Sequence, residues 1–206
     1  MPDLPPFATI ALRLLVIGGA LGAWFVTQRL IGSRPAGERR IDDQLHRLTA
    51  GANNWLQRNP QVADALLICS SLGVDAITLF VLGYAVLGPS FAPFWGLLCL
   101  FAMRQACQSI VELPAPPGII WRNPGFPSLF VTYKVGNDFF FSGHTALAVY
   151  GAIQLATLGI PAFTGFGILT AILQMVLVII LRAHWTLDVV AGLFAAVMVG
   201  ALFWPA

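Results

Sequence analysis

Histidine and carboxylate side chains that could act together occur near residue 184. His184 precedes Asp188 by four residues, so the two side chains are expected on the same face of a helix. The carboxylate can accept a hydrogen bond from one imidazole nitrogen, which fixes the tautomer and leaves the other nitrogen as a nucleophile or a base. Arg182 stands two residues earlier and could hold an anion beside the ring. The segment therefore predicts chemistry on an anionic group.

A second histidine, His144, follows Ser142 and Gly143, a pair that predicts the start of a helix. Backbone N–H groups and the dipole at a helix N-terminus favour a phosphate. The third histidine, His46, lies in a charged segment and is predicted to be solvated. Because two of the three histidines accompany a carboxylate, an arginine and a helix start, catalysis is favoured over separate structural roles.

The composition indicates where this chemistry takes place. Only 10% of the 206 residues are charged, against about 25% in an ordinary soluble domain. The apolar share is 58%, more than a globule of this length can hide from water. The net charge of +2 is too small to indicate nucleic acid, and three cysteines predict no even disulfide framework. Residues 1–206 are therefore expected to form one integral membrane domain.

Long apolar segments must position the histidines. A helix needs about 20 apolar residues to cross the hydrocarbon core, and six such windows predict an all-α, polytopic bundle of six transmembrane helices. Breaker residues at 88–90 and 159–161 predict tight turns, so the charged connections 32–65, 112–138 and 182–186 are expected on one face. The predicted spans are 7–31, 66–87, 91–111, 139–158, 163–181 and 187–204.

Two features lie outside this pattern. Residues 39–57 predict an amphipathic helix, which would lie in the membrane interface or dock on the bundle. Asp75, inside the second span, is expected either to line a substrate cavity or to be protonated against another helix. The apolar stripe of the amphipathic segment, spaced 4-3-4-3, consists of Ile41, Leu45, Leu48, Ala52 and Trp55.

The two histidine segments resemble the sphingomyelin synthase family, within the superfamily of type 2 phosphatidic acid phosphatases. That family is marked by a GD…FSGHT segment and an HYTxDV segment. The resemblance covers about residues 100–200, while residues 1–99 match only in hydropathy. The matching residues are Gly136, Asp138, Phe141, Ser142, Gly143, His144 and Thr145, then His184, Thr186, Asp188 and Val189, with Trp185 where tyrosine is usual, and Arg104 with Leu113-Pro114-Ala115-Pro116 as an LPxP segment.

The resemblance implies that His184 attacks phosphorus and forms a phosphohistidine. Asp188 would orient His184, and His144 would protonate the departing alcohol and then activate the acceptor. No metal and no cofactor are implied. The expected substrate-binding residues are Arg104, Asp138, Ser142, Gly143 and Arg182. The function so predicted is transfer of a phospho-head group from a glycerophospholipid to a lipid alcohol, either ceramide or diacylglycerol.

One departure favours a diester substrate. Leu113 precedes Pro114 where classical members of the phosphatase superfamily carry an arginine, and Glu112 stands before it. A phosphomonoester carries about −1.5 to −2 charges near neutrality and a phosphodiester about −1. A site that lacks this arginine therefore suits the smaller negative charge of a diester. The alternative is a lipid phosphate phosphatase or phospholipase C-type hydrolase that uses water.

Two further readings use the same residues differently. His144, His184 and Asp188 could form a two-histidine, one-carboxylate metal site, or the bundle could be a transporter without chemistry. The expected partners are the membrane and its lipids and no nucleic acid, and a homo-oligomer is compatible with the sequence. Six arginines at the first charged connection place the site toward the cytoplasm by the positive-inside rule, whereas the resemblance implies an exoplasmic, periplasmic or luminal site. They are Arg29, Arg34, Arg39, Arg40, Arg47 and Arg58.

Overall fold

The computed structural model describes residues 4–33, 41–133 and 139–204. Within these residues the chain forms eight helices and no strand, which confirms the all-α prediction. The helices are α1 (Phe7–Gly32), α2 (Gln44–Leu48), α3 (Ala50–Arg58), α4 (Pro60–Leu87), α5 (Ala92–Ile110), α6 (Gly143–Ala156), α7 (Pro161–Ile180) and α8 (Thr186–Leu202).

Three helices, α1, α4 and α7, are long and apolar enough to cross a membrane, which indicates a membrane protein. The predicted six crossings are not confirmed, because the other predicted spans hold shorter or less apolar helices. Helix α6 has 14 residues, about 21 Å of helix against a hydrocarbon core of about 30 Å. The predicted span 139–158 included Phe139–Ser142, which lead into the helix without being part of it.

Helix α6 is central and packs against α4, α5, α7 and α8. Small residues at its contacts let the neighbouring helices approach closely. A Cβ at Gly151 would lie 2.0 Å from Ile77 Cγ2 of α4, and a Cβ at Gly167 of α7 would lie 2.8 Å from Ala152 Cα. This packing holds the N-terminus of α6, which carries His144, in one place.

Helix α1 packs against α4 and α5 and exposes most of its apolar side chains. Arg13 Nη1 donates to the carbonyl oxygens of Ala85, Val86 and Gly88, at 3.1, 3.2 and 2.8 Å. The last carbonyls of a helix have no partner within the helix, and a cation there also suits the helix dipole. Arg13 therefore fastens α1 to the C-terminal end of α4.

The three charged connections meet at the other end of the bundle, as the antiparallel arrangement predicts. Asn53 Nδ2 of α3 donates to the carbonyl oxygens of Gly118 and Ile180, at 3.1 and 2.9 Å. Trp185 Nε1 donates to the carbonyl oxygen of Pro114 at 2.8 Å. The segment that contains Pro114 and the segment that contains His184 are thus in direct contact.

The predicted amphipathic helix over 39–57 is two short helices, α2 and α3, which meet at Thr49; residues 39 and 40 lie outside the described ranges. Its apolar stripe is exposed, and the buried side chains are His46, Asn53 and Leu56. The prediction that His46 is solvated is wrong, because its side chain is only 4% exposed. In an amphipathic helix the apolar side is expected to face the core. In α2 and α3 the opposite side, which carries His46 and Asn53, docks on the bundle.

Candidate active site

A tight turn at the end of α7 presents His184. The N–H of Arg182 bonds to the Ile179 carbonyl at 3.1 Å, and the N–H of Ala183 bonds to the Val178 carbonyl at 2.9 Å. This is the Schellman pattern of helix ends, in which glycine is usual at the left-handed position. Arg182 occupies that position with φ of +58°. The turn stops α7 and leaves His184 just ahead of α8.

Asp188 lies fully buried in the first turn of α8. Its Oδ2 accepts the backbone N–H of Trp185 at 2.9 Å and lies 3.6 Å from His184 Nδ1. The second distance is longer than a hydrogen bond, and such contacts commonly tighten when substrate binds. Neither Nδ1 of His184 nor Oδ1 of Asp188 has a hydrogen-bond partner among the described residues. The carboxylate is placed to hold the proton on Nδ1, which leaves Nε2 as the unprotonated nitrogen of a neutral ring.

A backbone contact joins the two histidine segments. Ser142 caps α6, since its Oγ accepts the N–H of Thr145 at 3.3 Å, and its own N–H donates to the Asp188 carbonyl at 3.0 Å. Gly192 of α8 lies against this contact, because a Cβ there would lie 2.7 Å from the Ser142 carbonyl oxygen. The close spacing between α6 and α8 at the site therefore requires glycine at position 192.

We expect Gly192→Ala to lower kcat by about 10²-fold, since a displacement of about 1 Å at a catalytic group has that cost. The added methyl group meets backbone and must separate the two histidine segments. Gly200→Ala is the matched control on the same helix, because its Cβ would meet the flexible end of Ile153 at 2.6 Å. Equal turnover by the two purified variants would contradict this account of Gly192.

His144 and His184 line one cavity of about 660 Å³, a volume that includes the open space at its mouth. Their ring centroids are 6.2 Å apart. Within the described residues, Nε2 of His144 is buried without a hydrogen-bond partner. Aromatic residues supply much of the remaining wall: Trp24, Phe101, Trp121, Phe130 and Phe139.

Arg104 supplies positive charge to the same cavity. Its Nε donates to the Phe141 carbonyl at 2.9 Å, and its Nη1 donates to Gln28 Oε1 at 3.3 Å. A Cβ at Gly143 would lie 3.0 Å from Arg104 Nε, so the guanidinium rests directly on the first turn of α6. The arrangement combines a cation with a helix N-terminus, which favours binding of a phosphate.

Residues 43–203, which are most of the chain, match a protein-family model described as AtPDCT1/2. The chain belongs to this family. It is a family of phosphatidylcholine:diacylglycerol cholinephosphotransferases, so the protein is a lipid-modifying enzyme, and head-group transfer is confirmed at the level of reaction class. No curated protein and no solved structure matches the chain.

The assignment to the sphingomyelin synthase family and the phosphatase superfamily is wrong, although the activity is related. The resemblance rested on short histidine segments after residue 100. The AtPDCT1/2 match begins at Asp43 and covers α2 to α4 as well, where the resemblance was one of hydropathy alone. Short segments around a site are therefore not sufficient to assign the family.

Several predicted site residues of this AtPDCT1/2 family member lie outside the cavity wall. Ser142 and Asp188 are buried behind His144 and His184. Arg182 does not line the cavity, since its Nη2 donates to the His46 carbonyl at 2.5 Å, and burial lowers the pKa of its guanidinium. Asp138, like Gly136 of the same predicted segment, lies outside the described residues.

Asp75 does not line the cavity. Among the described residues, its carboxylate is hydrogen-bonded to a loop and not to another helix. Its carboxylate accepts from Ser128 Oγ at 3.0 Å and from the backbone N–H groups of Leu129 and Phe130 at 3.0 and 3.1 Å. Phe130 lines the cavity. Asp75 therefore holds a loop that forms part of the cavity wall.

Sequence reasoning missed the contribution of α1, which places Trp24 and Gln28 in the cavity wall. The only available signal was Gln28, a polar residue near the end of an apolar segment. Among the residues that the structure describes, no group of three or more histidine, cysteine, aspartate or glutamate side chains is arranged to hold a metal ion.

Proposed function

We propose that the protein transfers phosphocholine from phosphatidylcholine to diacylglycerol through a phosphohistidine at His184. One observation carries the proposal: His144, His184 and Arg104 share a cavity with five aromatic side chains. The first three suit a phosphate, and the aromatic rings suit a quaternary ammonium. Membership of the AtPDCT1/2 family supports both assignments.

The reaction needs two displacements at phosphorus. Nε2 of His184 attacks, the bond from phosphorus to the glyceride oxygen breaks, and His144 gives its proton to that oxygen as diacylglycerol departs. A second diacylglycerol then loses its hydroxyl proton to His144 and attacks phosphorus, which releases His184. Asp188 stabilises the positive charge that His184 carries while it is bonded to phosphorus.

Arg104 has two effects on these steps. It stabilises the negative charge on the phosphoryl oxygens, together with the N-terminus of α6. It also lines the same cavity as the two histidines, so an anionic phosphate bound among them favours a proton on His144. Protonation of the acid is thus linked to substrate binding.

The aromatic wall provides a place for choline. The Trp121 ring meets His144 edge to face with centroids 5.1 Å apart, and the Phe139 ring meets His184 at 6.3 Å. A quaternary ammonium cannot donate hydrogen bonds and is bound by aromatic faces through cation–π attraction. Both rings are close enough to the histidines to reach the head group of a phosphate bound there.

A second cavity of about 550 Å³ supports entry of the lipid from the side. It shares Trp24, Phe101, Phe130 and Leu147 with the first cavity, and Thr78 is the one polar residue in its wall. Exposing acyl chains to water costs about 0.8 kcal/mol per methylene, so an apolar path between α1 and the other helices favours lateral access. Of the four aromatic residues within the two histidine segments, namely Phe139, Phe140, Phe141 and Trp185, Phe139 lines the first cavity.

Product analysis tests the proposal. The purified protein, in nanodiscs of phosphatidylglycerol that contain phosphatidylcholine labelled in its head group, should form a new labelled phosphatidylcholine with the acyl chains of an added diacylglycerol whose chains differ from those of the donor. It should release little free phosphocholine. Ceramide should be a poor acceptor. Labelled phosphatidylethanolamine should be a poor donor, and Trp121→Leu should narrow the difference between the two donors because it removes the ring beside His144.

Two results would contradict the proposal. Release of phosphocholine at the same rate with and without diacylglycerol would identify a hydrolase. Equal use of choline and ethanolamine donors would show that the aromatic wall does not select the head group.

A further inference from the structure

The helix α2 is tied to the loop that carries His184 by four hydrogen bonds. His46 Nε2 lies 3.0 Å from the His184 carbonyl oxygen, and Arg182 Nη2 donates to the His46 carbonyl oxygen at 2.5 Å. The Asp43 carboxylate accepts the hydroxyl and the backbone N–H of Thr186, each at 2.7 Å. These contacts flank His184 on both sides in the sequence, so α2 defines the position of this loop.

His46 is the central residue of this connection. A carbonyl oxygen can only accept, so Nε2 of His46 must carry the hydrogen. Burial lowers the pKa of His46 despite the opposing charge of Asp43, which favours the neutral ring. The ring also stacks on Trp185, with centroids 5.2 Å apart and planes at 26°.

The opposite side of α2 and α3 carries the exposed apolar stripe. The pair connects the end of α1 at Gly32 with the start of α4 at Pro60, and both of those helices are long and apolar enough to cross a membrane. A segment between two such helix ends lies at the membrane surface. Apolar side chains exposed at that level suit the headgroup and acyl boundary of the bilayer, and Arg47 and Arg58 are exposed beside them.

We propose that the stripe seats α2 and α3 on the lipid surface and that His46, on the opposite side, holds the His184 loop in its reactive position. The proposal rests on the role of His184 in the proposed function. The 3.6 Å gap between His184 Nδ1 and Asp188 Oδ2 makes that position critical, because a small shift of the loop decides whether the carboxylate orients the ring. His46 is a positioning residue, since it contacts the backbone of His184 and does not line the cavity.

The test compares His46→Leu with His46→Gln in vesicles of phosphatidylcholine and diacylglycerol. We expect His46→Leu to lower kcat by about 10²-fold with little change in KM, since a misplaced nucleophile costs rate rather than binding. The glutamine amide can donate to the same carbonyl and should restore most of kcat. Arg182→Gly should lower kcat in the same way, because glycine keeps the left-handed turn and removes the side chain that donates to the His46 carbonyl. Gln44→Ala, an exposed change on α2, is the control.

A double substitution of the stripe, Leu48→Asn with Trp55→Asn, tests the lipid contact. It should lower kcat in vesicles by at least about tenfold, whereas Asn54→Ala, an exposed change on α3, should have no effect. Full kcat in His46→Leu or in the stripe variant would overturn the proposal, and so would a rise in KM with unchanged kcat in Arg182→Gly. Activity that survives His184→Ala would instead overturn the proposed function on which it rests.

Discussion

His184→Ala should abolish phosphocholine transfer with every donor, whereas the defect of His144→Ala should depend on the leaving group. A glyceride alkoxide leaves poorly and needs a proton as its bond to phosphorus breaks. A p-nitrophenolate needs little help. With p-nitrophenyl phosphorylcholine, His144→Ala should therefore recover most of the ~10²–10⁴-fold loss that the absence of a general acid causes. His184→Ala should remain inactive because it has no atom to receive the phosphoryl group.

The measurement is the first-turnover burst of p-nitrophenolate, since the later step still needs His144 as a base. His144→Ala should release a burst that approaches one equivalent per protein, and His184→Ala none. Thermal unfolding in detergent should show both variants folded. Rescue of His184→Ala by the activated substrate would reverse the two roles. Equal losses with both substrates would indicate binding or metal coordination by the pair.

Local spacing was sufficient to predict which side chains lie together at the candidate site. The four-residue interval predicted His184 and Asp188 on one face of a helix, but His184 precedes α8 and only Asp188 lies in its first turn. The two side chains are nevertheless neighbours, with His184 in the cavity wall and Asp188 buried behind it. Ser142 and Gly143 likewise predicted the start of α6, which begins at Gly143. Such patterns act over a single helical turn, so no information about distant packing is needed to read them.

Contacts between distant residues could not be read in the same way. His46 and His184 are 138 positions apart, and the charged surroundings of His46 resemble those of a solvated residue. The left-handed turn at Arg182 is equally hidden, because glycine is the usual signal for it. An arginine at that position was therefore interpreted as an anion ligand, while the structure directs it to the His46 carbonyl.

Hydropathy described the membrane helices only in part. Windows of about 20 residues identify apolar segments, but they do not distinguish a helix from the turn that leads into it. The predicted span 139–158 therefore includes the segment from Phe139 to Ser142, whereas α6 begins at Gly143 and is shorter than the predicted span. The same average also hides which side of a segment forms a cavity, so the place of Trp24 in the cavity wall was not predicted. Trp121 lies in the charged connection 112–138, which hydropathy windows do not describe.

Asp188→Asn should be far less harmful than Asp188→Leu, because of the contact that Asp188 makes with the backbone. The oxygen that faces His184 Nδ1 also accepts the N–H of Trp185 at 2.9 Å. An introduced asparagine must turn its amide oxygen toward that N–H. The same oxygen then still faces Nδ1, so Nε2 remains the unprotonated nitrogen.

Only the negative charge is lost in Asp188→Asn, and we expect the burst rate with p-nitrophenyl phosphorylcholine to fall by about 10²–10³-fold, as for removal of one electrostatic group. Asp188→Leu also removes control of the tautomer and should reduce the rate by about 10⁴-fold or more. Asp64→Asn is the matched control, since this carboxylate pairs with Arg122 at 2.7 Å and lies outside the cavity wall. If Asp188→Asn were as slow as Asp188→Leu, the Trp185 N–H would not fix the carboxylate, and His184 would depend on another group for its orientation.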